Sequence, residues 1–163
     1  MLRTAPDRAG LRPRILLVDD EPVVLHVTAK LLDQSRFEVT SVRSAEEALD
    51  RLQLESFDLV VTDFKMRGKT GADVALAARL TSPETPVVLM TGRIDEVPEW
   101  MRRGVYALPI LLKPFLRVEL LWAVNHAKTS GEVLRVNSAL TAKEKAVLSP
   151  TGPTGASLAP RGK

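Results

Sequence analysis

Five polar residues stand where short apolar runs stop. Ile15-Leu16-Leu17-Val18 ends abruptly in Asp19-Asp20-Glu21, and Leu59-Val60-Val61-Thr62 delivers Asp63. Pro86 to Met90 leads into Thr91-Gly92, and Leu108 to Leu112 leads into Lys113-Pro114. If Asp19, Asp20 and Asp63 meet, their charges repel, and a site tolerates that when a cation sits among them. The donors would all be oxygens, which suits hard Mg²⁺ rather than zinc or copper. Lys113 adds a compact positive charge of the kind that holds a phosphoryl oxygen. Thr91 adds a hydroxyl donor, and Gly92 lets the backbone approach closely. Such a set supports phosphoryl transfer to a carboxylate: cation and lysine neutralise the transferring group while Asp63 attacks in line. Each residue alone has a plainer use. Asp19, Asp20 and Thr91 are good helix caps, and a lone Lys113 would be a surface charge.

The elements between these points must bring them together. Pro22 suits the first position of a helix, and Val24, Val27, Leu31 and Leu32 give that helix an apolar stripe. Phe37 to Thr40 reads as a second strand. Ser44 and Glu47 form a capping-box pattern before Ala48, Leu49 and Leu52. Gly71 precedes an alanine-rich helix through Leu80. A weaker helix is expected from Ile94 to Arg103, disturbed by Pro98, and a last one from Phe115 to Lys128. Five strands alternating with five helices imply a parallel sheet. The strands lack clean alternation, as expected when helices cover both faces. Ligands of such folds bind beyond the carboxyl ends of the strands, where all five polar residues fall.

Composition sets the outer bounds. The 163 residues are 45% hydrophobic and 26% charged, with no cysteine, which excludes disulfides and thiolate chemistry. Arg3, Asp7 and Arg8 break up the first residues, so a secretory signal is not expected, nor is a membrane span. The expected location is the cytoplasm. Net charge is +3 over residues 1–14, −3 over 15–128 and +3 over 129–163. Residues 1–13 read as a basic arm. Residues 129–163, with a turn-rich Ser149-to-Gly155 stretch and at most a helical turn from Thr141 to Val147, read as a disordered basic tail too short for a second domain. A basic tail can act as a weak nucleic-acid arm, but solvated charge is the plainer reading.

Taken in order, Leu17-Val18-Asp19-Asp20-Glu21, Val61-Thr62-Asp63-Phe64-Lys65-Met66, Met90-Thr91-Gly92 and Leu112-Lys113-Pro114-Phe115 resemble a response-regulator receiver domain of two-component signalling, the CheY-like superfamily. The spacings are 43 residues from Asp20 to Asp63, 28 on to Thr91 and 22 on to Lys113. The likeness covers residues 14–128. It implies a doubly wound α/β fold, a flavodoxin-like five-stranded parallel sheet in the order 2-1-3-4-5. It implies Asp63 as phosphoacceptor, and Mg²⁺ held by Asp20, Asp63 and the backbone carbonyl of Lys65, with Asp19 orienting a water. Thr91 would follow the phosphoryl group, Lys113 would pair with it, and the Lys113–Pro114 bond would be cis. The donor would be a histidine kinase or histidine phosphotransfer protein. The output partner would be a downstream protein, or a second copy, on the face of the fourth helix, fifth strand and fifth helix. Such a module is not an enzyme with a separate substrate, although it assists its own phosphorylation and dephosphorylation.

Several positions depart from the family pattern. Arg67 stands where most relatives have proline, which predicts a less rigid loop after the acceptor. Ile110 stands at the aromatic switch position, with Tyr106 out of register, and Pro109 is poorly placed inside a central strand. Lys65 and Arg93 occupy positions that face attacking water in this family; plain solvated charge is the competing reading. His26 and His126 read as helix-surface residues. In the last helix, Leu116, Leu120 and Val124 are expected in the core, while Val118, Leu121 and Trp122 either cover the sheet's edge or, the preferred reading, form a partner surface. A pseudo-receiver that keeps the fold without being phosphorylated is the alternative. A haloacid-dehalogenase-type hydrolase is disfavoured because Asp63-Phe64-Lys65 lacks its Asp-x-Asp.

Overall fold

A computed structural model describes residues 12–103 and 107–127. Residues 1–11 of the expected basic arm, Tyr106, Lys128 and the expected tail 129–163 lie outside the described residues. The order of elements is β1 (Arg14–Val18), α1 (Pro22–Asp33), β2 (Glu38–Val42), α2 (Ala45–Leu54), β3 (Leu59–Asp63), α3 (Gly71–Thr81), β4 (Val87–Thr91), a 3₁₀ turn (Ile94–Glu96), α4 (Glu99–Arg102), β5 (Ile110–Leu112) and α5 (Arg117–His126). All strands are parallel, in the order β2-β1-β3-β4-β5. The doubly wound α/β reading therefore holds.

Successive residues of each inner strand feed opposite cores. Leu16, Val18, Val60, Leu89 and Ile110 pack with residues of α2, α3 and α4. Ile15, Leu17, Val61, Val88, Met90 and Leu111 pack with residues of α1 and α5. Two covered faces explain the unbroken apolar runs.

Local details refine the sequence reading. The buried stripe of α1 is Leu25, Thr28 and Leu32, whereas Val27 is half exposed, one position off the expected line. Ser44 does accept from the Glu47 amide, at 3.1 Å, but the Glu47 side chain reaches the Arg43 amide instead of closing a box on Ser44. A full capping box appears at α3, between Thr70 and Asp73. Pro109 immediately precedes β5, an edge strand, and its carbonyl accepts from the Leu89 amide at 2.9 Å; the N–H it lacks falls at the start of the ladder, where proline is tolerated. Leu116 is exposed because it is the N-cap of α5 rather than part of its inner stripe. Leu120, Ala123 and Val124 are buried there, and Leu121 and Trp122 are partly buried against the same core.

Candidate functional site

Strand register builds the site. Val18 lies beside Thr62, Asp63 beside Met90, and Thr91 beside Leu112. Asp19, Asp63, Thr91 and Lys113 consequently form a row along the carboxyl edge of the sheet. The backbone ladder continues through them. The Asp19 amide donates to the Val42 carbonyl, the Phe64 amide to Met90, and the Lys113 amide to Thr91.

Lys113 is the electrostatic centre. Its Nζ lies 2.7 Å from Asp19 Oδ2 and 2.9 Å from Asp63 Oδ1. Asp19 is fully buried and also accepts the Glu21 amide at 2.9 Å. Burial pushes the Asp63 carboxyl above its ordinary range; Lys113 opposes this, and the charges of Asp19 and Asp20 add to it. Burial alone would lower the Lys113 ammonium, but its hydrogen bonds to Asp19 and Asp63 outweigh that and raise it. The lysine is therefore charged near neutral pH.

Asp19, Asp20 and Asp63 each offer a carboxylate oxygen, and these oxygens lie within 4.8 Å of one another. One lysine serves three carboxylates, two of them directly, which leaves negative charge uncompensated. An all-oxygen donor set with surplus negative charge fits a hard divalent cation. Thr91 is buried, and its hydroxyl is committed locally. It accepts the Arg93 amide at 3.0 Å and donates to the Arg93 carbonyl at 3.1 Å. Lys65 follows Asp63 by two residues, and its exposed Nζ lies 3.4 Å from Glu96, which also pairs with Arg93. The two loops that flank Asp63 and Thr91 are thus joined across the mouth of the pocket. Lys113–Pro114 is cis.

Two contributions escaped the sequence reading. Gly71 opens α3 beneath the acceptor, and a Cβ there would stand 2.3 Å from the Asp63 carbonyl oxygen. Its amide donates to the Phe64 carbonyl at 2.9 Å, so backbone meets backbone directly under the site. The second is the Arg67 amide, which donates to Asp20 Oδ2 at 3.2 Å. The loop after Asp63 lacks the constraint of proline, yet it is anchored. Met66 is buried in the core, Gly68 adopts φ +80°, and the Lys69 amide reaches Glu46. Gly92 is different, since a Cβ there would meet nothing within 4 Å; no close protein contact demands glycine.

The parallel sheet, its order and this acidic edge define a receiver-type switch module. The response regulator receiver domain family matches residues 15–125, and the chain belongs to that family. Among curated relatives, the response regulator protein FleR of Pseudomonas aeruginosa is 38% identical over 104 residues, 63% of this chain and 22% of FleR. The chain thus spans a minor part of that relative's length. A response regulator receiver protein from Sinorhizobium medicae superposes with a TM-score of 0.67 at 33% identity, over 76% of this chain and 99% of that one. The response regulator TrrA of Thermotoga maritima, solved in complex with Mg(2+)-BeF, gives 0.62 at 28% identity, over 71% of this chain and 98% of that one.

Proposed function

We propose that the protein is a phosphoacceptor response regulator that receives a phosphoryl group on Asp63 and signals by protein contact. The observation that carries this reading is the Lys113 ammonium held between Asp19 and Asp63, with Asp20 close by. A carboxylate oxygen of Asp63 forms a bond to phosphorus as the bond to the donor's imidazole nitrogen breaks, leaving an acyl phosphate and the donor histidine. Lys113 balances the charge gathering on the phosphoryl oxygens. Thr91 reaches them by giving up its bonds to Arg93. Asp20, Asp63 and the Lys65 carbonyl would hold Mg²⁺, with Asp19 orienting its water; bound there, the cation supplies charge neutralisation. That the similar TrrA was solved in complex with Mg(2+)-BeF supports Mg²⁺ as the cation.

The donor is a histidine kinase or histidine phosphotransfer protein. The output surface is the face of α4, β5 and α5, where Trp100 and Leu116 are exposed and β5 is an edge strand. No helix of the described residues is long and apolar enough to cross a membrane. One observation favours the pseudo-receiver as a second reading: Ile110 is buried at the position where the family carries a mobile ring. Intact mass spectrometry after incubation with acetyl phosphate and Mg²⁺ separates the two. The expected result is the gain of one phosphoryl group, dependent on Mg²⁺ and absent in Asp63→Asn. An unchanged mass in a folded wild-type sample would favour the pseudo-receiver.

A further inference from the structure

The three carboxylates of the pocket are held unequally. Asp19 has both oxygens engaged, one by the Glu21 amide and one by Lys113. Asp63 has Lys113 at 2.9 Å. Asp20 has no cationic partner among the described residues, and its carboxylate accepts a single hydrogen bond, from the Arg67 backbone amide. That amide exists only because residue 67 is not proline, which has no N–H to donate.

We infer that the Arg67 amide is a positioning donor for Asp20: it occupies Oδ2 and leaves the other oxygen as the one offered to a cation. The inference rests on the reading of the acidic trio as a Mg²⁺ site. A carboxylate with one oxygen tied down loses less freedom on binding metal, and such outer partners commonly change metal affinity by about 10–100-fold. The donor is itself well placed. Met66 before it is buried in the core, Gly68 after it turns at φ +80°, and the next amide, of Lys69, bonds Glu46 on α2. The Arg67 side chain makes no hydrogen bond or ion pair among the described residues, so the role belongs to the backbone. The departure from the family's proline therefore exchanges one constraint on this loop, a fixed φ, for another, a bond to the opposite wall of the pocket.

Backbone and side-chain effects separate cleanly by substitution. Calorimetric titration with Mg²⁺ is expected to give Arg67→Ala the wild-type affinity and Arg67→Pro an affinity lower by about tenfold. In an Asp20→Ala background, Arg67→Pro should weaken binding no further. Equal affinities for the alanine and proline variants, or a full additional loss in the Asp20→Ala background, would overturn the inference. A readout independent of the proline variant is the Arg67 amide proton in the nuclear magnetic resonance spectrum without metal. It should move when Asp20 is replaced by alanine, and an unmoved signal overturns the hydrogen bond itself. A folded wild type that binds no Mg²⁺ would overturn the metal reading, and with it the cation half of the inference, while the amide signal still decides the hydrogen bond.

Discussion

Asp20 bears the pocket's unrelieved repulsion, because Lys113 compensates Asp19 and Asp63 and only an amide reaches Asp20. Its charge is one of the causes that, after burial, raise the Asp63 carboxyl. Replacing Asp20 with asparagine removes that charge and keeps an oxygen able to accept from the Arg67 amide. For a partly buried group the relief is about 1 kcal/mol, enough to raise melting by about 4 °C. Thermal melts of Asp20→Asn and wild type in a chelator test this, and a variant that melts lower would refute the crowded-carboxylate account. The acidic trio, Thr91 and Lys113 were legible because each follows an apolar strand directly, a pattern that needs no coordinates. The Arg67 amide and the Gly71 backbone contact were not, since they depend on loops approaching within hydrogen-bond distance rather than on side-chain type.

Between β4 and β5 the chain is least regular, and there the output is expected to be read. A single helix disturbed by Pro98 was the expectation. Instead Pro98 is the N-cap of the four-residue α4, and a three-residue 3₁₀ turn precedes it. The pieces share few internal hydrogen bonds, so they should reorder at low cost. Val97 and Met101 nevertheless anchor them in the core. Pulling the Thr91 hydroxyl towards a phosphoryl group breaks both of its bonds to Arg93, whose guanidinium pairs with Asp95 and Glu96. Ile110 cannot transmit by ring rotation, being buried and β-branched. Phosphorylation is therefore expected to change hydrogen exchange mainly between Gly92 and Arg103, with Ile110 nearly silent. In a Trp122→Phe background, fluorescence of half-exposed Trp100 should report the same change. No response in either signal, in a sample of verified phosphorylation, would move the search for the transmitter to α5.

As a whole, the described residues contain both cores of the sheet, closed on one side by α1 and α5 and on the other by α2, α3 and α4. Arg12 ties the start of the sheet to the end of α1, with its guanidinium 2.7 Å from the Asp33 carbonyl and 3.1 Å from its carboxylate. Ala127, just past α5, is still buried. A chain shortened to residues 12–128 keeps both cores and is expected to fold alone, which a thermal melt beside the full chain tests. A much lower melting temperature would mean that the basic tails contribute to the folded unit. Periodicity and the abrupt ends of apolar runs by themselves determined the fold class and the identity of the five polar residues at one edge, whereas the strand order came only from what the family resemblance implies. Strand boundaries shifted by a residue or two, because backbone pairing rather than hydrophobicity ends a strand. Tertiary structure alone decided which oxygen meets which donor: that Lys113 bridges Asp19 and Asp63, and that Arg67 reaches Asp20. Those contacts join residues up to 94 positions apart, and only the packing of separate loops on a common sheet sets distances of that kind.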